Sequence, residues 1–465
     1  GVAATTAVSI GSQVMHMLTV MIVGLAMGTT VSIAQAIGAN KKDDAAAATG
    51  NTVTLFLILS VCLTGALLCV IRPITMIMSV PEEAVSGTIA YLTICFIGIP
   101  FITAYNIISS IFRGMGDSKS PMYFIAVACV ANIILDYIFI GLCHFGPAGA
   151  ALGTTVSQAI SVIVSLFVIV KRKTGISLKP SDFRPKRNVC GTILKIGLPI
   201  ACQDGLIQIA FIIITIIANK RGLTDSAAVG IVFSVMAMIQ ALAFMFGMGS
   251  GTNVSHLLGM GKRKEAEVYS AVGFFSAVAA GVLIAVLGNV FNEPLMRLLG
   301  ATETAMPYAL DYARYIFLAA PFMMGSLSMN NLLRFQGLAT YGMVGIISGG
   351  LLNMLLDPLL IFVFNMGIAG ASIATAISQL TSFVILLVMC STHADAITIH
   401  PRNYRPTKQM YAKILNNGLP SLGRQGIMSV STSLLNNAAA VYGDPAIAAF
   451  AIVSRCLNFV NSTVV

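Results

Sequence analysis

Two aspartates lie inside long apolar runs, each four residues after an asparagine. Asp136 follows Asn132 and Asp357 follows Asn353, so each pair falls on one face of a helix. An ionisable group surrounded by lipid is costly unless it is paired, and it therefore usually has a function. Both pairs are candidates for a site that couples to a cation or a proton. The alternative interpretation is a hydrogen bond that ties neighbouring helices together.

A third aspartate, Asp204, follows Pro199 near the start of another apolar run. It is interpreted either as an acceptor for a substrate cation or a proton, or as a salt-bridged or hydrated residue near a helix end. Amides and methionines are predicted to line a substrate cleft, because flexible thioethers suit a promiscuous pocket. The cleft candidates are Gln203, Gln208, Gln425, Asn436, Asn437, Met245 and Met324.

Catalytic and metal-binding motifs are absent from the sequence. The nine cysteines occur singly, without a CxxC pair or a His/Cys ligand spacing, and no HExxH or GxSxG motif is present. No catalytic residue, no metal and no cofactor other than a coupling ion, H⁺ or Na⁺, is therefore predicted. An enzyme embedded in the membrane is the least favoured function.

Composition places the chain in a bilayer. Hydrophobic residues make up 57% and charged residues 9% of the sequence, and the mean hydropathy is +0.89. The net charge of +10 is divided among short loops rather than gathered on one domain, which argues against nucleic acid as a partner. Apolar runs long enough to cross a hydrocarbon core are predicted at 8–37, 51–71, 88–113, 120–143, 148–171, 194–219, 226–258, 270–291, 308–334, 340–365, 368–392 and 412–440.

One long unit occurs twice. Residues between Pro100 and Gln158 recur between Pro321 and Gln379 at a constant offset of 221 positions, among them Arg113/Arg334, Gly116/Gly337, Asn132/Asn353, Asp136/Asp357, Thr154/Thr375 and Gln158/Gln379. The predicted fold is therefore an all-α integral membrane protein of about twelve transmembrane helices in two parallel six-helix repeats, plus a partial thirteenth helix. Lysine and arginine concentrate in alternate loops, which predicts that these loops are cytoplasmic and that the protein is a multi-pass protein of the bacterial plasma membrane.

Several blocks of sequence resemble the multidrug and toxic compound extrusion (MATE) family. These blocks are Gly38–Lys42, Arg113–Asp117, Asn132–Asp136, Gly149–Gln158, Ile196–Pro199, Asn353–Pro358 and Gly367–Ala371. The resemblance implies a two-lobe, monomeric exporter of amphipathic, mostly cationic small molecules. It also implies proton or sodium antiport with alternating access between the lobes. A flippase for lipids or lipid-linked oligosaccharides is the alternative, and an inactive chimeric fragment is another.

The chain also departs from the family pattern. The acid that many members carry on their first span has no counterpart here, because that position holds Ile214 in one copy and Leu435 in the other. A span is expected to be missing before residue 1, as in a truncated or chimeric chain, and the run 412–440 is hypothesised to fill its place. The predicted organisation is a first lobe over 1–171, a cytoplasmic linker over 172–193, a second lobe over 194–392, a linker over 393–411 and additional helix over 412–465.

Overall fold

The computed structural model describes residues 2–77, 82–171, 178–221, 223–299, 301, 303–393 and 395–423, and within these ranges the regular elements are helices. The α-helices are α1, Val2–Gly38; α2, Lys42–Cys69; α3, Ile71–Ile77; α4, Glu82–Gly114; α5, Lys119–Asp136; α6, Gly146–Lys171; α7, Arg187–Arg221; α8, Leu223–Gly259; α9, Arg263–Val290; α10, Asn292–Leu298; α11, Met306–Phe335; α12, Ala339–Pro358; and α13, Gly367–Thr392. A further helix occupies 408–423.

Eleven of the helices in the described ranges are long and apolar enough to cross a membrane. Each coincides with one of the predicted apolar runs, from Val14–Gly38 to Gly367–Thr392. The twelfth predicted run, 412–440, extends beyond the described residues. The prediction of an all-helical protein with many membrane spans is confirmed.

The two halves contain the same elements at the predicted offset. α8 corresponds residue for residue to α1, α9 to α2, α10 to α3 and α13 to α6 when 221 is added to the earlier bounds. The packing also repeats, because α4 contacts α1, α2 and α6, while α11 contacts α8, α9 and α13. Tight turns recur as well: Gly116 and Gly337, just after α4 and α11, have φ angles of 86° and 83°, which favour glycine. The internal repeat is therefore structural.

The first compact unit runs through Ala201. It contains α1 to α6 and the beginning of α7, which crosses α1 where Gly28 faces the Ile193 carbonyl and Gly197 faces the Leu25 carbonyl. Small residues allow helices this close an approach. The segment before α7 is fastened to α2, because Asn51 Nδ2 donates to the Asp182 carbonyl at 3.0 Å. The first unit thus continues beyond residue 171, where the first lobe was predicted to end. It also includes residues 194–201, which were predicted to begin the second lobe.

The second compact unit begins at Cys202. It contains the rest of α7, α8 to α13 and the helix over 408–423. This last helix crosses α8 where Gly249 faces the Ile414 carbonyl and Gly418 faces the Met245 carbonyl, and the Tyr411 hydroxyl lies 2.8 Å from Ser276 Oγ of α9.

The contacts of the helix over 408–423 bear on the hypothesis for the run 412–440. Its described part, to Gly423, packs within the second unit, and the hypothesis that the run 412–440 completes the first lobe stays a prediction. The physical reason for this packing is the repeat itself, since Gly418 takes on α8 the place that Gly197 takes on α1. Positions 424–440 lie outside the described residues.

Candidate cation site and cavity

Asp357 lies in a buried polar cluster of the second unit. It is 1% exposed, and its Oδ1 accepts a hydrogen bond of 3.3 Å from Asn353 Nδ2, one helical turn earlier on α12. The same amide is 3.5 Å from Thr375 Oγ1 of α13. Tyr312 of α11 lines the same cavity as Asn353 and Thr375. Three helices thus contribute polar side chains to this part of the unit.

The second carboxylate oxygen of Asp357, Oδ2, is buried without a hydrogen-bond partner. A buried charged oxygen in that state is expensive, so it requires a proton or a cation. Oxygen atoms are the ligands that hard cations prefer. No group of three His, Cys, Asp or Glu side chains suited to a metal ion occurs among the described residues.

The repeat places the same residue types in the first unit, but their contacts differ. Asn132 is 1% exposed, and neither atom of its amide group has a hydrogen-bond partner. Asp136 is partly buried, and its Oδ1 packs against Gly153 of α6 without a hydrogen bond. Here the predicted contact between asparagine and aspartate is not formed.

A π-helical turn follows the aspartate in both units. It covers Tyr137–Leu142 after Asp136 and Leu359–Val363 after Asp357 and Pro358. Such turns are rare, and they occur frequently at functional sites because they redirect nearby side chains. Their recurrence at both aspartates keeps these positions as candidates for a functional site. The amino-acid sequence carries no signal that predicts them.

A cavity of about 120 Å³ lies beside the Asp357 cluster, entirely within the second unit. Tyr312, Asn353 and Thr375 belong both to its wall and to the cluster. The rest of the wall is mainly apolar and aromatic, with a few amides and hydroxyls. Representative wall residues are Phe233, Met236, Gln240, Met323, Ser378 and Gln379. No Lys, Arg, Asp or Glu is part of the described wall.

None of the predicted cleft residues that the structure describes lines this cavity. Met324 is fully buried in the core of the second unit, while its neighbour Met323 faces the cavity. Met245 is buried where α8 meets the helix over 408–423. Gln203 is buried and Gln208 is half-buried, and neither lines the cavity. The remaining candidates, Gln425, Asn436 and Asn437, lie outside the described residues.

Asp204 is occupied by an ion pair. Arg334 Nη2, at the end of α11, donates to Asp204 Oδ1 at 2.8 Å. The two side chains are 9% and 19% exposed, for the arginine and the aspartate respectively. The interpretation of Asp204 as a salt-bridged residue is therefore favoured over that of a free acceptor for a substrate cation.

Tyr312 and Gln240 line the cavity, and neither is among the candidates predicted from the sequence. A signal for Tyr312 existed, because Tyr91 occurs at the same offset of 221. Gln240 has no such signal, since an amide on an apolar helix is most often a packing residue. Only the packing of α8 against α11 in the structure shows that Gln240 lines the cavity.

The chain can be placed among known proteins. The MatE family profile matches residues 1–138 and 199–359, which is more than half of the sequence. The chain belongs to the MATE family. The matched residues include both aspartate pairs, Asp204 and Arg334. The resemblance noted in the sequence is confirmed, and with it the fold of a transporter family.

The relatives of this MATE chain include curated export proteins. It is 28% identical over 233 residues to the multidrug export protein MepA of Staphylococcus aureus (strain MRSA252), covering 50% of this chain and 52% of the relative. It is 27% identical over 270 residues to MepA of Staphylococcus haemolyticus, covering 57% of this chain and 58% of the relative. The aligned chain thus spans just over half the length of these relatives.

Solved structures share the fold over a larger part of the chain. A MOP superfamily transporter from Pyrococcus furiosus matches with a TM-score of 0.74 and 22% identity, over 83% of this chain and 86% of that one. An outward-facing multidrug resistance MATE transporter matches with a TM-score of 0.74 and 22% identity, over 84% and 87%. At this identity the likeness establishes the fold alone.

Proposed function

We propose that the chain is a secondary active exporter of amphipathic, mostly cationic small molecules, coupled to the entry of protons or sodium ions. Asp357 is the coupling carboxylate, and Asn353, Thr375 and Tyr312 complete its site. The cavity beside this site is part of the substrate site. The transport cycle is alternating access between the two lobes in a cell membrane, with the basic loops in the cytoplasm.

The observation that carries the proposal is the state of the Asp357 carboxylate. It is 1% exposed, one of its oxygens has no hydrogen-bond partner, and its other oxygen accepts a hydrogen bond from Asn353, whose amide also reaches Thr375. Lipid and protein provide no water to satisfy such a group. A bound proton or cation satisfies it, and the exchange of one for another changes the charge next to the cavity.

The wall of the cavity supports amphipathic cations as the substrate class. Phe233 and Tyr312 present aromatic rings, and Met236 and Met323 present polarisable thioethers that can repack around ligands of different shape. The charge of a cationic substrate is balanced by Asp357 beside the wall. A lipid-linked phosphate is a poorer fit, because the described wall contains no lysine or arginine. The flippase alternative therefore has no observation in its favour.

Ethidium transport by reconstituted protein tests the proposal. Purified chain in liposomes is given a proton gradient, a sodium gradient or neither, and ethidium movement is followed by fluorescence. Transport is expected with one of the two gradients and not without them. In Asp357→Asn the gradient-driven rate is expected to fall by about 100-fold, the upper part of the range for energetic coupling between two sites.

A matched control is Asp311→Asn, which removes an exposed carboxylate next to Tyr312 on the same helix. This variant is expected to transport ethidium at the normal rate. Size-exclusion chromatography establishes that each variant is folded. Wild-type protein that responds to neither gradient would refute the antiporter, and unchanged coupling in Asp357→Asn would refute the role of Asp357.

A further inference from the structure

The ion pair between Asp204 and Arg334 differs from the other ion pairs in the described part of the chain. It is mostly buried, with side-chain exposures of 19% and 9%. The other pairs have both partners more than half exposed, as in Arg297–Glu293 at 58% and 57%. Exposed pairs contribute little to stability, whereas a buried pair loses its hydration and holds its two partners in one geometry.

Stability alone is a weak explanation for this buried pair. Replacement of a buried ion pair by apolar residues of similar volume is often neutral or stabilising. Arg334 is also incompletely satisfied, because its Nε is buried without a hydrogen-bond partner. The pair is therefore better explained by the two helices, α7 and α11, whose relative position it fixes.

The pair joins two walls of the cavity. On α7, three residues within the two turns that follow Asp204 line the cavity: Leu206, Ile207 and Ala210. On α11, Leu327 lines the cavity two turns before Arg334. A hydrogen bond of 2.8 Å between Asp204 and Arg334 thus fixes the separation of the two helices just past one end of the cavity.

We propose that Asp204 and Arg334 are positioning residues for export, and that their ion pair holds the α7 wall against α11 and so sets which cations fit the cavity. The inference rests on the proposed function, because it concerns the same cavity. Asp204 acts by pairing with Arg334 and so by setting the position of the α7 wall. It does not contact the substrate.

The repeat provides an internal contrast. Arg113 occupies the position of Arg334 in the first unit, and its Nη2 donates to Ser110 Oγ, three residues earlier on its own helix. Position 425, the repeat equivalent of Asp204, is a glutamine. The acid is therefore particular to α7.

The test uses a thiol on the α7 wall. Ala210→Cys is introduced into a full-length chain whose native cysteines are replaced by serine or alanine, and the rate of maleimide modification in detergent is measured. The same protein is then prepared with Asp204→Asn plus Arg334→Gln, and separately with the charges exchanged, Asp204→Arg plus Arg334→Asp. The neutral pair leaves no uncompensated buried charge, so it avoids the main cause of misfolding. Arg297→Gln, in an exposed pair, is the control.

Loss of the pair is expected to raise the modification rate about tenfold, and the exchanged pair is expected to restore it to within about twofold, as for residues in direct contact. Unchanged modification in the neutral pair, or modification in the exchanged pair as fast as in the neutral pair, would overturn the proposal. If the neutral pair does not elute as folded protein, Arg334→Lys replaces it. A smaller increase is then expected, and no increase overturns the proposal.

Ethidium binding to the same proteins separates this inference from the proposed function. The apparent Kd for ethidium is expected to rise in the neutral pair and to recover in the exchanged pair. If even the unsubstituted protein binds no ethidium, the proposed substrate class fails, while the modification rates still decide whether the pair positions the wall.

Discussion

The two aspartate clusters show how one sequence pattern gives two different sites. Asn353 donates to Asp357 in the second unit, and the carboxylate is enclosed. Asn132 makes no such bond in the first unit, and Asp136 is only partly buried. The asparagine, the aspartate and their spacing are the same in both, and a π-helical turn follows each aspartate. The neighbouring helices differ at the residue that faces the aspartate.

A single methyl group accounts for much of this difference. Asp136 Oδ1 occupies the space where a Cβ on Gly153 would lie. The equivalent residue in the second unit is Ala374, which is fully buried and fills that space with its own Cβ. The Asp357 carboxylate cannot take the corresponding position, and it turns toward Asn353 instead.

The largest expected effect separates the two aspartates. Asp357→Asn should lower gradient-driven ethidium transport by about 100-fold, while Asp136→Asn should lower it by less than about fivefold, because only Asp357 has the enclosed site beside the cavity. Transport rates in liposomes at matched protein content make the comparison. Equal losses in the two variants would show that both units couple, and the contrast between them would then have no functional meaning.

The helix crossings test where the two units should behave alike. Gly28→Ala and Gly249→Ala should each destabilise the protein by about 1–3 kcal/mol, because the new methyl meets the carbonyl of Ile193 or Ile414. Thermal unfolding in detergent measures this effect. Gly65→Ala is the control, since no heavy atom lies within 4 Å of the position of its Cβ. Gly65→Ala should stabilise α2 by up to about 1 kcal/mol. A tolerated Gly249→Ala would contradict the close crossing of α8.

A smaller effect is expected from the asparagines. Asn353→Ala removes the donor to Asp357 Oδ1 and should weaken coupling about threefold, the usual worth of a hydrogen bond between side chains in a membrane protein. Asn132→Ala should leave coupling unchanged, because the Asn132 amide makes no hydrogen bond that the substitution would remove. This variant is the direct comparison for Asn353→Ala. The sodium or proton concentration that gives half-maximal transport reports the difference. A larger effect in Asn132→Ala would reverse the order of the two sites.

The sequence was sufficient to predict the helices, the repeat and the two aspartate pairs, because hydropathy and the offset of 221 depend on the chain alone. It could not show which face of each helix points inward. Lipid is as apolar as a protein core, so a membrane helix lacks the polar face that reveals orientation in a soluble protein. For this reason Met324 was a cleft candidate while Met323 lines the cavity.

The sequence also does not show which distant residues form ion pairs. Asp204 and Arg334 both stand out in the sequence, but they lie 130 positions apart on different helices. Only the packing of α7 in the second unit brings them together. The exchange of Gly153 for Ala374 is visible in the aligned repeats, but its meaning depends on the aspartate that faces it.

The smallest expected effect is the most direct test of the comparison. Gly153→Ala adds to the first unit the methyl group that the second unit already has, and the atom it would meet is the end of a side chain that can rotate. Asp136 should then turn toward Asn132 and accept its hydrogen bond, as Asp357 does from Asn353, with little change in stability. A structure of this variant measures the distance from Asn132 Nδ2 to the Asp136 carboxylate. An unchanged carboxylate position would mean that the backbone, rather than the residue at 153, sets the difference between the two sites.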